Sequence, residues 1–193
     1  MLNLLFTDPY VFIIVLGGLI LAIGIHEAAH CYMADYLGDP TPRAMGRLTL
    51  NPLAHLDPIG TLMIVFTGMF GWGKASPFDP YNLRHPQRDT ALIALAGPIS
   101  NIVLAILLSL VLRFFNLNYL LSAILISLIT LNINLAIFNL LPIPPLDGSK
   151  IFSRLAFLNS QAGYLILLLL IFTGVVGKLI SPITNFLISL LLF

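Results

Sequence analysis

From Tyr10 to Ile25 every residue is apolar or glycine, and the run passes without a break into His26-Glu27-Ala28-Ala29-His30. A helix that is hydrophobic all round has to be covered on all sides, by protein or by lipid. Composition decides for lipid. The 193-residue chain is 59% hydrophobic and 9% charged, where a soluble domain carries about 25% charged residues. The reading is an all-α polytopic membrane protein, a single domain over 1–193. A formal net charge of +1 gives no support to a nucleic-acid partner. The N-terminus lacks a basic region and a small-residue cleavage site, so no cleaved signal peptide is expected.

The end of that helix carries the chemistry. Glu27 is the sole glutamate in the chain, set between two of its four histidines in an H-E-x-x-H spacing. Residues i and i+4 share a helix face, so His26 and His30 can aim at one metal ion. Glu27 is rotated by about 100° and can reach a water there. A random match is expected in roughly 4 of 10,000 chains of this composition. From Pro9 to His26 is about 26 Å of helix against a hydrocarbon thickness of about 30 Å. The histidines therefore lie inside the membrane, near the face where the helix exits. Ionisable residues at that depth are usually functional. The plain alternative is a polar patch in a metal-ion transporter.

Further segments follow from punctuation and length. Thr7 or Asp8 caps the first helix, Pro9 suits its first turn, and Gly38 and Pro40 stop it. Ala44–Asn51 alternates partly and reads as a short strand pair, with Arg47–Asn51 as an edge for strand addition. Pro58–Trp72 is apolar but short for a span, so it reads equally as re-entrant. Thr90–Phe115 and Tyr119–Leu140 are long enough to cross, and Gln161–Phe193 makes two short spans or a span and a surface helix. About five to six transmembrane helices are expected, with a membrane-embedded β or re-entrant connector after the first. Cys31 reads as a small buried residue and His85 as solvated. His55 with Asp57 reads as an interfacial loop pair, or else as a reserve ligand or an access-controlling group. Trp72 and Tyr81 read as interfacial anchors, and Gly17, Gly18 and Gly24 as close helix contacts.

A catalytic zinc needs a third protein ligand and an open position for water. A second glutamate does not exist, and Met33 and Tyr36 stand where an extended H-E-x-x-H-x-x-G-x-x-H plan needs Gly and His. An aspartate or a further histidine remains. Asp147 is foremost, because it follows Pro142, Pro144 and Pro145, which forbid a continuing helix. Non-helical backbone at membrane depth is tolerated only inside protein or along a wet cavity. Alone, Asp147-Gly148 would read as a turn.

Three motifs now stand in order: H-E-A-A-H in a membrane helix, Ala96-Gly97-Pro98-Ile99-Ser100-Asn101, and N-x-x-P-x-P-x-L-D-G at 139–148. Together they resemble the site-2 protease family of intramembrane metalloproteases, over roughly residues 10–155. The segment Leu50–Pro58 resembles a compact prokaryotic subgroup, and the length leaves no room for a PDZ or CBS domain. The resemblance implies one zinc per chain on His26, His30 and Asp147, with Glu27 as catalytic base and a zinc-activated water as nucleophile. It implies that Asn139 holds the substrate backbone or the oxyanion. Gly97 and Asn101 would pack their helix against the membrane-embedded connector. The catalytic core is then about 10–155, with C-terminal helices over about 161–193. The substrates implied are transmembrane segments of other proteins in the lipid bilayer.

The second alternative is a catalytically silent relative acting as a membrane binding scaffold, and the complete motif set argues against it. Charge sets the orientation. Arg43, Arg47, Lys74, Arg84, Arg88, Lys150 and Arg154 fall on the exit side of the first helix, which the positive-inside rule makes cytoplasmic in a plasma membrane.

Overall fold

The computed structural model describes residues 7–67, 73–152 and 160–192. Helix α1, Pro9–Tyr36, starts where Asp8 Oδ1 accepts the Val11 N–H. It ends ahead of Gly38, whose φ of 104° is the left-handed conformation that stops a helix. A short helix α2, Thr41–Ala44, opens the connector, and α3, Pro58–Thr67, lies within it. Then come α4, Pro86–Phe114; α5, Tyr119–Asn139; the short α6, Asp147–Ile151; α7, Ser160–Phe172; and α8, Val175–Leu192. Four of these, α1, α4, α5 and α8, are long and apolar enough to cross a membrane. Helix α7 is apolar but shorter. So four spans stand among the described residues where about five to six were expected. Helix α3 has ten residues, about 15 Å, half of what a crossing needs. The remainder of the 58–72 segment, with Trp72, lies outside the described residues.

The expected strand pair at Ala44–Asn51 does not form. Among the described residues there is no strand, and the one isolated bridge joins Leu56 to Gly73. Gly46 turns the chain at a φ of 66°, and 47–51 runs on without a ladder. Side chains occupy the polar groups a ladder would use. His55 Nε2 donates to Thr49 O at 2.8 Å, and Asn51 Oδ1 caps the turn at Pro52–Ala54. The alternation in Ala44–Asn51 does not track burial, since Met45 and Leu50 are exposed and Arg47 is buried.

Contacts along the three central helices give their directions. Leu128 of α5 packs on the bare Cα of Gly18 in α1, Asn101 of α4 bonds to Ala22 O of α1 and to Asn132 of α5, and His30 of α1 bonds to Ile93 O of α4. Helices α1 and α5 thus run parallel, with α4 antiparallel between them. That order brings the end of α1 and the residues after α5 to the same depth. Ala105, Ile129 and Ile133 form the core that α8 covers with Leu187, Ile188 and Leu191. Small residues make the close approach possible. A Cβ on Gly24 would lie 2.7 Å from Pro52 Cβ, so the connector docks directly on α1. Gly17 has no such neighbour.

Candidate metal centre

His26 and His30 stand one turn apart on the buried face of α1, their rings edge to face with centroids 4.7 Å apart. Asp147 opens α6 directly after the proline loop. Its Oδ2 lies 3.1 Å from Nε2 of both histidines, and the three donor atoms lie within 4.8 Å of one another. The outer ring nitrogens define what these atoms are. His30 Nδ1 donates to Ile93 O at 2.6 Å, and His26 Nδ1 donates to Asn101 Oδ1 at 2.6 Å. In a neutral imidazole the other nitrogen then carries a lone pair. Two lone pairs and a carboxylate oxygen converge on one buried point. Such a cluster calls for a cation, and two nitrogens with one oxygen suit zinc. The residues present fit that ion.

The surroundings explain two glycines and one lysine. A Cβ on Gly97 would fall 2.6 Å from His26 Nε2 and nearer still to His30 Nε2. Gly97 and Asn101 therefore serve the histidine pair, and not the connector contact expected for them. A Cβ on Gly148 would meet the Leu140 and Leu141 carbonyls, so only glycine lets α6 tuck under the end of α5. Lys150 Nζ sits 3.4 Å from Asp147 Oδ1, which leaves Oδ2 facing the histidines.

Glu27 stands outside this donor set. Its Oε2 and its backbone O lie 2.7 and 2.8 Å from Ser76 Oγ, on an irregular segment that passes over α1. That segment is tied down behind. Lys74 N donates to His55 O at 2.8 Å, and Arg47 Nη2 donates to Lys74 O at 2.7 Å. His55 is fully buried, and Asp57 caps α3 by accepting from Gly60 N at 2.8 Å. The interfacial His55–Asp57 pair does not form, because each residue has a structural task of its own. Further out, Asp39 accepts from Thr41 Oγ1 and N, Asn82 Nδ2 and Asp79 N. Burial alone would push its carboxyl up. These hydrogen bonds outweigh burial and hold it below the usual carboxylate range.

A cavity of about 1220 Å³ opens onto the cluster, lined by α5, α7 and α8 as well as by Glu27, Asp147 and Asn139. Gly73, Ala75, Ser76 and Phe78 face it too, whereas no residue of 44–51 does. Asn139 spends one amide proton on Leu135 O at 2.9 Å. Cys31 is buried, and Tyr81 is 95% exposed. Sequence reasoning missed Ser76, which no local pattern marks. It also passed over Asn132, although an asparagine in the middle of an apolar span is itself a signal.

Comparison with known proteins adds the following. Residues 116–175 match the family described as Peptidase family M50. YwhC of Bacillus subtilis, provisionally named a zinc metalloprotease, is 35% identical over 184 residues, covering 86% of this chain and 84% of the relative. Rip2 of Mycobacterium tuberculosis strain H37Rv, named in the same provisional way, is 33% identical over 144 residues, 72% of this chain and 55% of the relative. The zinc metalloprotease MJ0392 of Methanocaldococcus jannaschii is 27% identical over 147 residues, 76% of this chain and 35% of the relative. No solved structure matches the chain significantly.

Proposed function

Because this chain belongs to peptidase family M50, the site-2 protease family, we propose that it is an intramembrane endopeptidase that cleaves within or next to transmembrane segments of other proteins. It is a multi-pass membrane protein and a zinc metalloprotease. The observation that carries the finer reading is the convergence of His26 Nε2, His30 Nε2 and Asp147 Oδ2 at a cavity that Glu27 also lines. One domain over 1–193 serves this chemistry, with its catalytic core at about 10–155.

His26, His30 and Asp147 would hold one zinc ion, each through a single atom. Bound there, zinc supplies Lewis acidity, polarising a scissile carbonyl and making water nucleophilic near neutral pH. Glu27 takes a proton from the attacking water as its oxygen bonds to the carbonyl carbon. It returns that proton to the amide nitrogen as the C–N bond breaks. Ser76 holds one carboxylate oxygen of Glu27 and leaves the other for the water. Asn139 has a second amide proton and its Oδ1 available, for the substrate backbone or the oxyanion. The apolar α5, α7 and α8 walls of the cavity suit a transmembrane segment that has locally unwound to expose its amides.

The test pairs two variants with a panel of co-expressed single-span substrates. Glu27→Gln should retain zinc and lose at least about 100-fold in cleavage. Asp147→Ala should lose both zinc and cleavage. Near wild-type cleavage by Glu27→Gln would remove the general base, and full zinc in Asp147→Ala would remove the third ligand. Orientation follows from charge. Arg43, Lys74, Arg84, Arg88 and Lys150 lie at the metal-site end of the bundle, and in a plasma membrane the positive-inside rule makes that face cytoplasmic. In a Cys31-free background, a cysteine at Asn82 should label from the cytoplasm and one at Asn116 from outside. Labelling of both from one side would refute this placement.

A further inference from the structure

A line of buried polar groups runs behind His26, away from the cavity. His26 Nδ1 meets Asn101 Oδ1 at 2.6 Å, Asn101 Nδ2 meets Asn132 Oδ1 at 3.0 Å, and Asn132 Nδ2 meets Leu128 O at 2.9 Å. Asn101 Nδ2 also reaches Ala22 O, at 3.3 Å. Asn101 and Asn132 are 0% and 1% exposed, so no solvent competes for these bonds. We propose that Asn132 is a positioning residue that, through Asn101, fixes which ring nitrogen of His26 faces the metal. The inference rests on His26 being a zinc ligand.

Donor and acceptor polarity selects the tautomer of His26. His26 binds a metal through Nε2 only if its proton sits on Nδ1, which then needs an acceptor. His30 has a backbone carbonyl there, Ile93 O, which can only accept. His26 faces an amide side chain instead, and an amide has two ends. Turned over, Asn101 would offer N–H groups to Nδ1 and favour the tautomer with the proton on Nε2, pointing into the site. Asn132 opposes that turn by presenting its oxygen to Asn101 Nδ2. Asn132 is itself an amide, and its own direction is set by Leu128 O, one helical turn back on α5. Turning Asn132 over would face oxygen to oxygen at Leu128 and N–H to N–H at Asn101. The order of donors thus runs from fixed backbone carbonyls to the ring of His26. Burying two asparagines among Ile129, Ile133 and Ala136 is unfavourable unless every polar atom is partnered. Here the partnering also selects a tautomer.

A plain interhelical hydrogen bond would hold α4 to α5 without touching the metal. The full-length protein in detergent separates the two roles. Zinc affinity is measured by chelator competition, and coordination by the visible spectrum of the cobalt-substituted protein. Asn132→Leu should weaken zinc binding about 10–100-fold and alter the cobalt spectrum. Asn132→Asp, as a buried neutral acid, still donates an O–H to Leu128 O and offers an oxygen to Asn101, and should bind zinc within about threefold of wild type. Thr184→Val breaks the comparable α5–α8 bond between Thr184 Oγ1 and Asn134 Oδ1, 2.6 Å, and should leave zinc affinity unchanged.

Zinc affinity within about threefold of wild type in Asn132→Leu overturns the proposal. So does an equal loss in Thr184→Val. Should Asn132→Leu fail to fold, nitrogen NMR of zinc-free wild type decides instead: neutral His26 protonated on Nδ1 supports the relay, and protonation on Nε2 overturns it. His26→Ala separates the two levels. Zinc retained there refutes the ligand reading itself. Zinc lost there but kept in Asn132→Leu refutes only the relay.

Discussion

Replacing Gly97 by alanine adds one methyl group where α4 crosses the histidine pair. The new Cβ would lie 2.6 Å from His26 Nε2, against ordinary contacts that begin at 3.4 Å. The ring nitrogen, or the helix, must give by about 0.8 Å, and His30 Nε2 is more crowded still. Both rings are pinned from behind, by Asn101 Oδ1 and by Ile93 O, each at 2.6 Å, so neither can swing away cheaply. Overpacking of this kind costs about 1–3 kcal/mol of stability. The metal is more sensitive, because ligand distances hold to about 0.2 Å. Gly97→Ala should therefore weaken zinc binding at least about 10–100-fold although no ligand has changed. Gly17→Ala, with no atom within 4 Å of its Cβ, is the control that keeps full affinity. Chelator competition on the purified variants measures both, with thermal melts to check folding. A Gly97→Ala protein that binds zinc within about threefold of wild type would refute the packing argument and the ring positions it rests on.

Ser76→Ala frees the Glu27 carboxyl to leave its position. Turnover should fall about 10–100-fold with KM and zinc content unchanged, and turnover within twofold of wild type would show that Glu27 needs no such support. Asp39→Asn removes a carboxylate that accepts several part-buried hydrogen bonds, and should lower stability at pH 7 by about 1–3 kcal/mol. The Asp39 carboxyl is held below its ordinary range in the folded state. Its contribution is therefore complete above the unfolded value near 3.9 and is lost as pH falls through the lower folded value. Melting curves of wild type and variant should converge in acid, and a constant gap from pH 7 to pH 2 would contradict the assignment.

Helix α1 was legible from end to end, because Asp8, Pro9, the apolar run and Gly38 act through neighbours in the chain. The pairing of His26 with His30 was legible for the same reason, since i and i+4 share a face in any α-helix. Other features depended on segments far apart in sequence. Ala44–Asn51 had a strand's alternation, but Arg47 and His55 turned its polar groups to bracing the segment that carries Ser76. Nothing near Ser76 announces that it will meet Glu27, 49 positions away.

The amino-acid order by itself determined which residues can ligate a metal and which helix presents them, since composition and helical period are local properties. Only the packing of α1 against α4 and α5 decided which nitrogen of each histidine turns toward Asp147 and which oxygen of Asp147 meets them. It also decided what stands behind each ring, because hydrogen-bond direction is settled by partners that the chain brings together only after folding.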